Sequence, residues 1–183
     1  MSEEFVVRHT SPTLAGLKTG NLFNCTFQNK QKLYQELREL NRKLVPKGAR
    51  IIPMKIFKDK VLLYLYRPRL LEQDFHMEAV ANLLKEYGYT ANAPEKCVVQ
   101  LIQKMCASET FPHEIGLFLS YPPEDVCGFI NHPEKGCKCV GCWKVYGDEE
   151  AARKRFAEYK KCETDYYVQM QKGKGIEDLI LEM

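Results

Sequence analysis

The stretch Arg50-Ile51-Ile52-Pro53-Met54-Lys55-Ile56-Phe57-Lys58-Asp59-Lys60-Val61-Leu62-Leu63-Tyr64-Leu65-Tyr66-Arg67 decides the reading of the fold. It resolves into two strands, about 50–57 and 60–67, joined by a tight turn at Lys58-Asp59. Alternation gives the pair two faces. Ile52, Met54 and Ile56 match Val61, Leu63 and Leu65 on one, and Lys55 and Phe57 match Leu62, Tyr64 and Tyr66 on the other. Pro53 has no N–H for a ladder, which places its strand at an edge or at a bulge. Just upstream, Leu33, Leu37, Leu40 and Leu44 recur at helical spacing. Residues 29–44 therefore read as an amphipathic helix, stopped by Pro46 and Gly48 and packed on the Ile52/Met54/Ile56 face. Asn21 to Phe27 alternates as a further strand.

Beyond the hairpin the pattern turns helical. Residues 74–87 predict a helix ending at Gly88, and Pro94 opens another with Cys97, Val98, Leu101, Ile102 and Met105 on one face. Ile115-Gly116-Leu117-Phe118-Leu119 is short, apolar and bounded by turn residues, and is read as a buried strand in the hairpin's sheet. A short helix follows from Pro122-Pro123 to Phe129, then a strand from Cys142 to Tyr146. Asp148 caps a last helix with Ala152, Phe156 and Tyr159 facing inward. Residues 5–20 are read as irregular and 163–183 as a peripheral C-terminal segment. The predicted fold is α+β: a ferredoxin-like split β-α-β core with extra helices and a C-terminal β-α unit, in one compact domain over 1–183.

With 183 residues, 45% of them apolar, the chain has enough hydrophobic surface for a core. Charged residues make up 28% with both signs mixed, which excludes wholesale disorder. The longest apolar run, Val61 to Tyr66, is too short to span a bilayer. Met1-Ser2-Glu3-Glu4 is acidic and lacks the apolar region of a secretory signal, so the expected location is cytoplasmic.

Three segments carry a family resemblance: Ser11-Pro12-Thr13-Leu14-Ala15-Gly16-Leu17-Lys18-Thr19-Gly20-Asn21-Leu22-Phe23, Phe111-Pro112-His113-Glu114-Ile115-Gly116-Leu117-Phe118-Leu119-Ser120-Tyr121-Pro122-Pro123-Glu124-Asp125-Val126, and Cys142-Trp143-Lys144-Val145-Tyr146-Gly147-Asp148. Over nearly its whole length the chain resembles a domain-of-unknown-function family of small proteins from anaerobic Firmicutes such as clostridia. The resemblance implies a bacterial, anaerobic, cytoplasmic setting, in which oxygen-sensitive thiols and iron–sulfur chemistry fit.

The chain has eight cysteines, and three crowd into Cys137-Lys138-Cys139-Val140-Gly141-Cys142. In a reducing cytosol they are free thiols. Cys137, Cys139, Cys142 and Cys162 together could supply the thiolates of a zinc site or an iron–sulfur cluster. A strand of roughly 15 Å at strand rise followed by a helix of roughly 21 Å at helical rise would bring Cys162 back to the other three. Thiol redox chemistry and simple packing remain open beside metal binding, since only Cys139/Cys142 has the C-x2-C spacing of a zinc knuckle.

A small-ligand site is expected where the 115–119 segment meets the Ser120–Asp125 turn, near the Gly16–Asn21 loop. Its candidate residues are His113, Ser120, Tyr121 and Asp125 with Lys18 and Asn21. From Arg38 to Arg69 ten basic residues face only Glu39 and Asp59, and with Tyr64, Tyr66 and Phe57 they invite an alternative reading as an RNA-binding or protein-interaction hairpin. The RNP1 pattern is absent and the net charge is only +3, so a small molecule or redox partner is favoured over nucleic acid. No Ser-His-Asp order, H-E-x2-H motif or dinucleotide fingerprint is present, and no reaction class or catalytic residue is assigned.

Overall fold

The computed structural model describes residues 1–90, 93–108 and 110–183. The chain divides into two compact units, Met1–Leu70 with Lys161–Met183, and Leu71–Lys160.

The first unit opens on a helix, α1 (Glu3–Leu14), followed by β1 (Gly20–Thr26), α2 (Lys30–Leu44), β2 (Arg50–Phe57) and β3 (Lys60–Tyr66). The strands form one antiparallel sheet in the order β1-β3-β2. Strands β1 and β2 thus run parallel on either side of β3 and are linked by α2, which is the split β-α-β arrangement. The fold is α+β. Asn29 caps α2 by accepting from Gln31 N at 2.7 Å and Lys32 N at 3.2 Å. The leucine stripe Leu33, Leu37, Leu40 and Leu44 is buried as its spacing predicts. Central β3 is buried on both faces from Val61 to Tyr66, which explains its unbroken apolar sequence.

Pro53 behaves as expected on an edge strand. The register slips between Pro53 and Lys55, leaving Met54 as the extra residue of a bulge. The slip changes which residues face α2. Ile51 opposite Leu65 and Ile56 opposite Val61 lie on one side because the bulge reverses the alternation between them. The core therefore takes Ile51, Val61, Leu63 and Leu65, with Ile56 packed against it, in place of the Ile52/Met54/Ile56 face read from simple alternation. Asn41 secures the edge from α2, donating to Ile51 O at 2.8 Å and accepting from Ile51 N at 3.0 Å.

Both ends of the chain differ from expectation. Residues 5–14 are helical, and only 15–19 are irregular: Ser2 caps α1 through Phe5 N at 3.2 Å, and Val6, Val7 and Leu14 are buried. Pro12 lies inside α1 near its C-terminal end, where it forfeits one i→i−4 bond, and burial of that face, Pro12 included, holds the helix nonetheless. Residues 163–183 are not peripheral. The final helix α8 (Ile176–Leu179) sends Ile176, Leu179 and Ile180 into the core.

The second unit is mainly helical: α3 (Pro68–His76), α4 (Glu78–Glu86), α5 (Pro94–Ala107), α6 (Pro123–Asn131) and the long α7 (Glu149–Gln171), which begins here. Met77, extended at φ −67° and ψ 126°, interrupts what the sequence presented as one helix over 74–87. The segment predicted as a strand at 115–119 is instead a 3₁₀ helix, His113–Leu119, and joins no sheet. A short apolar run fits a buried helical turn as well as a strand, and the loop bond Ile115 N to Pro112 O at 3.1 Å starts the turn. The predicted strand over 142–146 contracts to β5 (Lys144–Val145), paired with β4 (Cys139–Val140) in a two-stranded hairpin.

That hairpin packs through Trp143, Val145, Ala152 and Tyr159, with Tyr121, Cys139 and Phe156 against them. The indole stacks on Tyr121 at 4.7 Å and meets Phe156 edge-on at 4.6 Å. Contact is close enough that a Cβ on Gly141 would lie 2.3 Å from the Phe156 ring.

Candidate functional site

Among the buried charged residues, Arg67, Asp125 and Glu114 differ in how fully each is used, and that difference separates scaffold from site. In the first unit Arg67 is 1% exposed. Its Nε donates to Thr13 O at 2.7 Å, Nη1 to Lys47 O at 3.2 Å, and Nη2 to Leu14 O and to Leu181 O at 2.7 Å. Four of its five N–H donors are thereby engaged, tying together four separate chain segments. Burial pulls its pKa down from the usual arginine value.

In the second unit Asp125 is 3% exposed. Its Oδ2 accepts from Trp143 Nε1, and its Oδ1 from Tyr146 N and Gly147 N, each at 2.7 Å. Asp125 is the anchor of the β4–β5 hairpin, and its place in the first turn of α6 suits a carboxylate.

Glu114 differs from both. The 3₁₀ turn carries its carboxyl inward, 6% exposed, to the wall of a cavity of about 540 Å³ lined by Tyr87, Lys104, Phe111, His113, Glu114 and Ile130 among others. Its Oε1 accepts from Tyr89 OH at 3.0 Å and Lys104 Nζ at 3.1 Å. Lys104 also donates to Tyr87 O and lies 4.2 Å above the Tyr89 ring. Both donors act on one oxygen, so Oε2 has no hydrogen-bond donor among the described residues. Burial, with the Glu114 carboxylate alongside, pushes the Tyr89 phenol far up, and it stays a donor across the accessible pH range. At the rim, the exposed His113 ring packs edge-on against Phe129 at 4.9 Å and is 6.0 Å from Phe111.

The positions follow from local sequence. Gly88, at φ +78°, turns the chain out of α4 and presents Tyr87 and Tyr89. Lys104 lies in the last turn of α5, and Pro112 sets the start of the 3₁₀ turn that carries His113 and Glu114. The arrangement offers a zwitterionic floor, aromatic rims and a volume suited to a small molecule.

Of the expected ligand residues, His113 lines this cavity. Ser120, left-handed at φ 55°, ends the 3₁₀ turn and donates to Leu119 O at 2.8 Å. Tyr121 supports Trp143, and burial raises its phenol to about 12. Lys18 and Asn21 lie in the first unit. Lys18 is buried, and Asn21 Oδ1 accepts from Thr13 Oγ1 at 2.7 Å. Sequence reasoning missed Lys104, Tyr87 and Tyr89 altogether, and passed over Glu114. The available signal was a single carboxylate at the head of an apolar run.

The cysteines divide by burial. Cys137, Cys139 and Cys142 sit on or beside the hairpin of the second unit, with Cys137 Sγ donating to Cys139 O at 3.1 Å and Cys142 exposed. Cys162 belongs to the first unit and is buried, which raises its thiol to about 11. Burial likewise raises Cys25 and Cys97. Among the described residues no group of three or more His, Cys, Asp or Glu side chains is placed to hold a metal ion. On the basic hairpin, Tyr64 and Tyr66 are buried and stacked on one another at 4.7 Å, so these rings offer no open stacking platform. Among the described residues no helix is long and apolar enough to cross a membrane.

Fold and site together define an α+β protein with a split β-α-β sheet and a cavity of small-molecule size in its helical unit. The family model described as "Protein of unknown function (DUF3793)" matches residues 6–180, and the chain belongs to that family. No curated protein and no solved structure shows significant similarity to it.

Proposed function

We propose that this protein binds a small polar, aromatic molecule in the cavity between Tyr87, Lys104, Phe111 and Glu114, and that in an anaerobic cytoplasm this molecule is a redox ligand. The observation that carries the reading is the half-used carboxylate of Glu114. Oε1 takes both donors and Oε2 takes none among the described residues, so one oxygen of this largely buried group stays open to a ligand donor at a residue that lines the cavity. A ligand donor completes it. The test is retention of small molecules from a cell extract, by ultrafiltration and mass spectrometry. The native protein should retain compounds that the Phe111→Ala/His113→Ala variant does not, both residues being exposed. Equal retention by the two proteins would overturn the reading.

A second reading, thiol chemistry at the hairpin, is favoured by three sulfurs within six residues and by the exposure of Cys142. A zinc or iron–sulfur centre on these thiols would appear as bound metal or a visible absorbance after anaerobic purification. The free thiols of a dithiol would appear as two-electron oxidation without metal.

A further inference from the structure

The geometry points to a planar lactam heterocycle as the ligand of the Glu114 cavity: a ring whose edge carries an N–H beside a C=O. This deepens the function proposed above and rests on it. The polar floor presents one acceptor and one donor next to each other. The acceptor is Glu114 Oε2, since Oε1 already takes Tyr89 OH and Lys104 Nζ. The donor is Lys104: an ammonium has three N–H groups, and two are directed to Tyr87 O and Glu114 Oε1. Nζ is bonded at 3.1 Å to Oε1 of the same carboxylate, so donor and acceptor groups are immediate neighbours, as the adjoining N–H and C=O of a lactam require.

Other ligand chemistries fit less well. A free carboxylate or phosphate would meet Glu114 at the floor and the carbonyl end of α5 at Ser108, both of negative character. An ammonium ligand would meet Lys104. A fully apolar ring would leave the Glu114 oxygen buried without a partner. A lactam satisfies both groups and remains neutral. Its flat faces match Phe111, which is 47% exposed, and the His113 ring.

The test is calorimetric titration of the native protein with hypoxanthine, pterin and lumichrome, each paired with its counterpart methylated at the lactam nitrogen. Methylation removes the N–H and keeps the ring. A site built to hydrogen-bond a group discriminates strongly against an analogue lacking it, so at least one lactam should bind about tenfold or more tighter than its methylated partner. Glu114→Gln, which keeps an oxygen for Tyr89 OH and offers an amide NH2 in place of Oε2, should remove that preference and retain weak binding of both forms, whereas Lys104→Met should weaken both forms alike. Equal affinity for the two forms, abolished by Phe111→Ala, would overturn the lactam inference while the cavity keeps its role as a ligand site. Failure of all three lactams to bind would also overturn it, and extract retention then decides separately whether the cavity binds anything.

Discussion

Arg67 in the first unit and Glu114 in the second are both charged and almost wholly buried, yet they are used in opposite ways. Arg67 spends four of its five donors on carbonyl oxygens of Thr13, Leu14, Lys47 and Leu181, all from its own chain. Glu114 receives two donors on one oxygen and, among the described residues, none on the other, and it lines a cavity. Asp125, in the same unit as Glu114, is satisfied by three donors across both oxygens. The contrast teaches that burial of a charge does not itself mark a functional site. What marks it is bonding capacity left over where a ligand can reach.

The sharpest way to break this comparison is to remove the internally bonded anchors. Asp125→Ala leaves the Trp143 indole N–H and two backbone amides without their acceptor in a unit whose local core is small. The expected cost is about 3 kcal/mol or more, read from chemical denaturation followed by the fluorescence of Trp143, the single tryptophan. A loss below about 0.5 kcal/mol, the range of an ordinary surface change, would remove Asp125 from its role as anchor.

Arg67→Met should cost about 2–3 kcal/mol, because the larger core of the first unit is kept while four carbonyls lose a charged donor. Amide exchange at Leu181, whose N–H donates to Leu14 O at 2.9 Å, should accelerate most. Unchanged exchange there would show that the arginine does not secure the C-terminal strap.

A third outcome concerns alkaline pH. Burial first, then Asp165 and Glu163, raises the Cys162 thiol from 9.0 to about 11. The folded state therefore holds the proton more tightly than the unfolded chain. This contribution to stability is complete below pH 9 and is lost as pH rises through 11. Denaturation midpoints measured across that window should fall, and the fall should be shallower in Cys162→Ala. Identical slopes would place the alkaline sensitivity elsewhere. Exposed Cys142 and Cys106 should also react with iodoacetamide well before Cys162.

The smallest stability change is expected at the site itself. Glu114→Gln keeps an acceptor for Tyr89 OH and loses only a pairing with a lysine that is 36% exposed. The cost should be below about 1 kcal/mol, while ligand affinity falls severalfold or more. A large destabilisation without any change in binding would put Glu114 beside Asp125 as scaffold.

Much of the first unit was legible because its periodicities are strong. The four leucines of α2 and the alternation of β2 and β3 each point to one packing face, and Pro53 pointed to an edge or a bulge, of which the structure has both. The bulge at Met54 was the limit, since one inserted residue reverses the faces of everything before it. The second unit was less legible. Its 3₁₀ turn carries the same five apolar residues that a buried strand would, and nothing local separates the two. His113 stood out as polar beside an apolar run. Lys104 did not, because ten residues separate it from Glu114 and on α5 it resembles an ordinary solvent-facing lysine. Asp125 was read as a ligand group because a carboxylate at a helix start is equally suited to binding and to anchoring, and only its partners distinguish them.

The most direct test of the claim that unused bonding capacity at Glu114 marks the site is a crystal structure of the protein soaked with a diverse library of small fragments. Bound fragments should concentrate between Phe111 and His113, with a donor atom within hydrogen-bond distance of Glu114 Oε2. A cavity left empty while fragments settle elsewhere, or fragments seated there with no polar contact to Glu114, would contradict it.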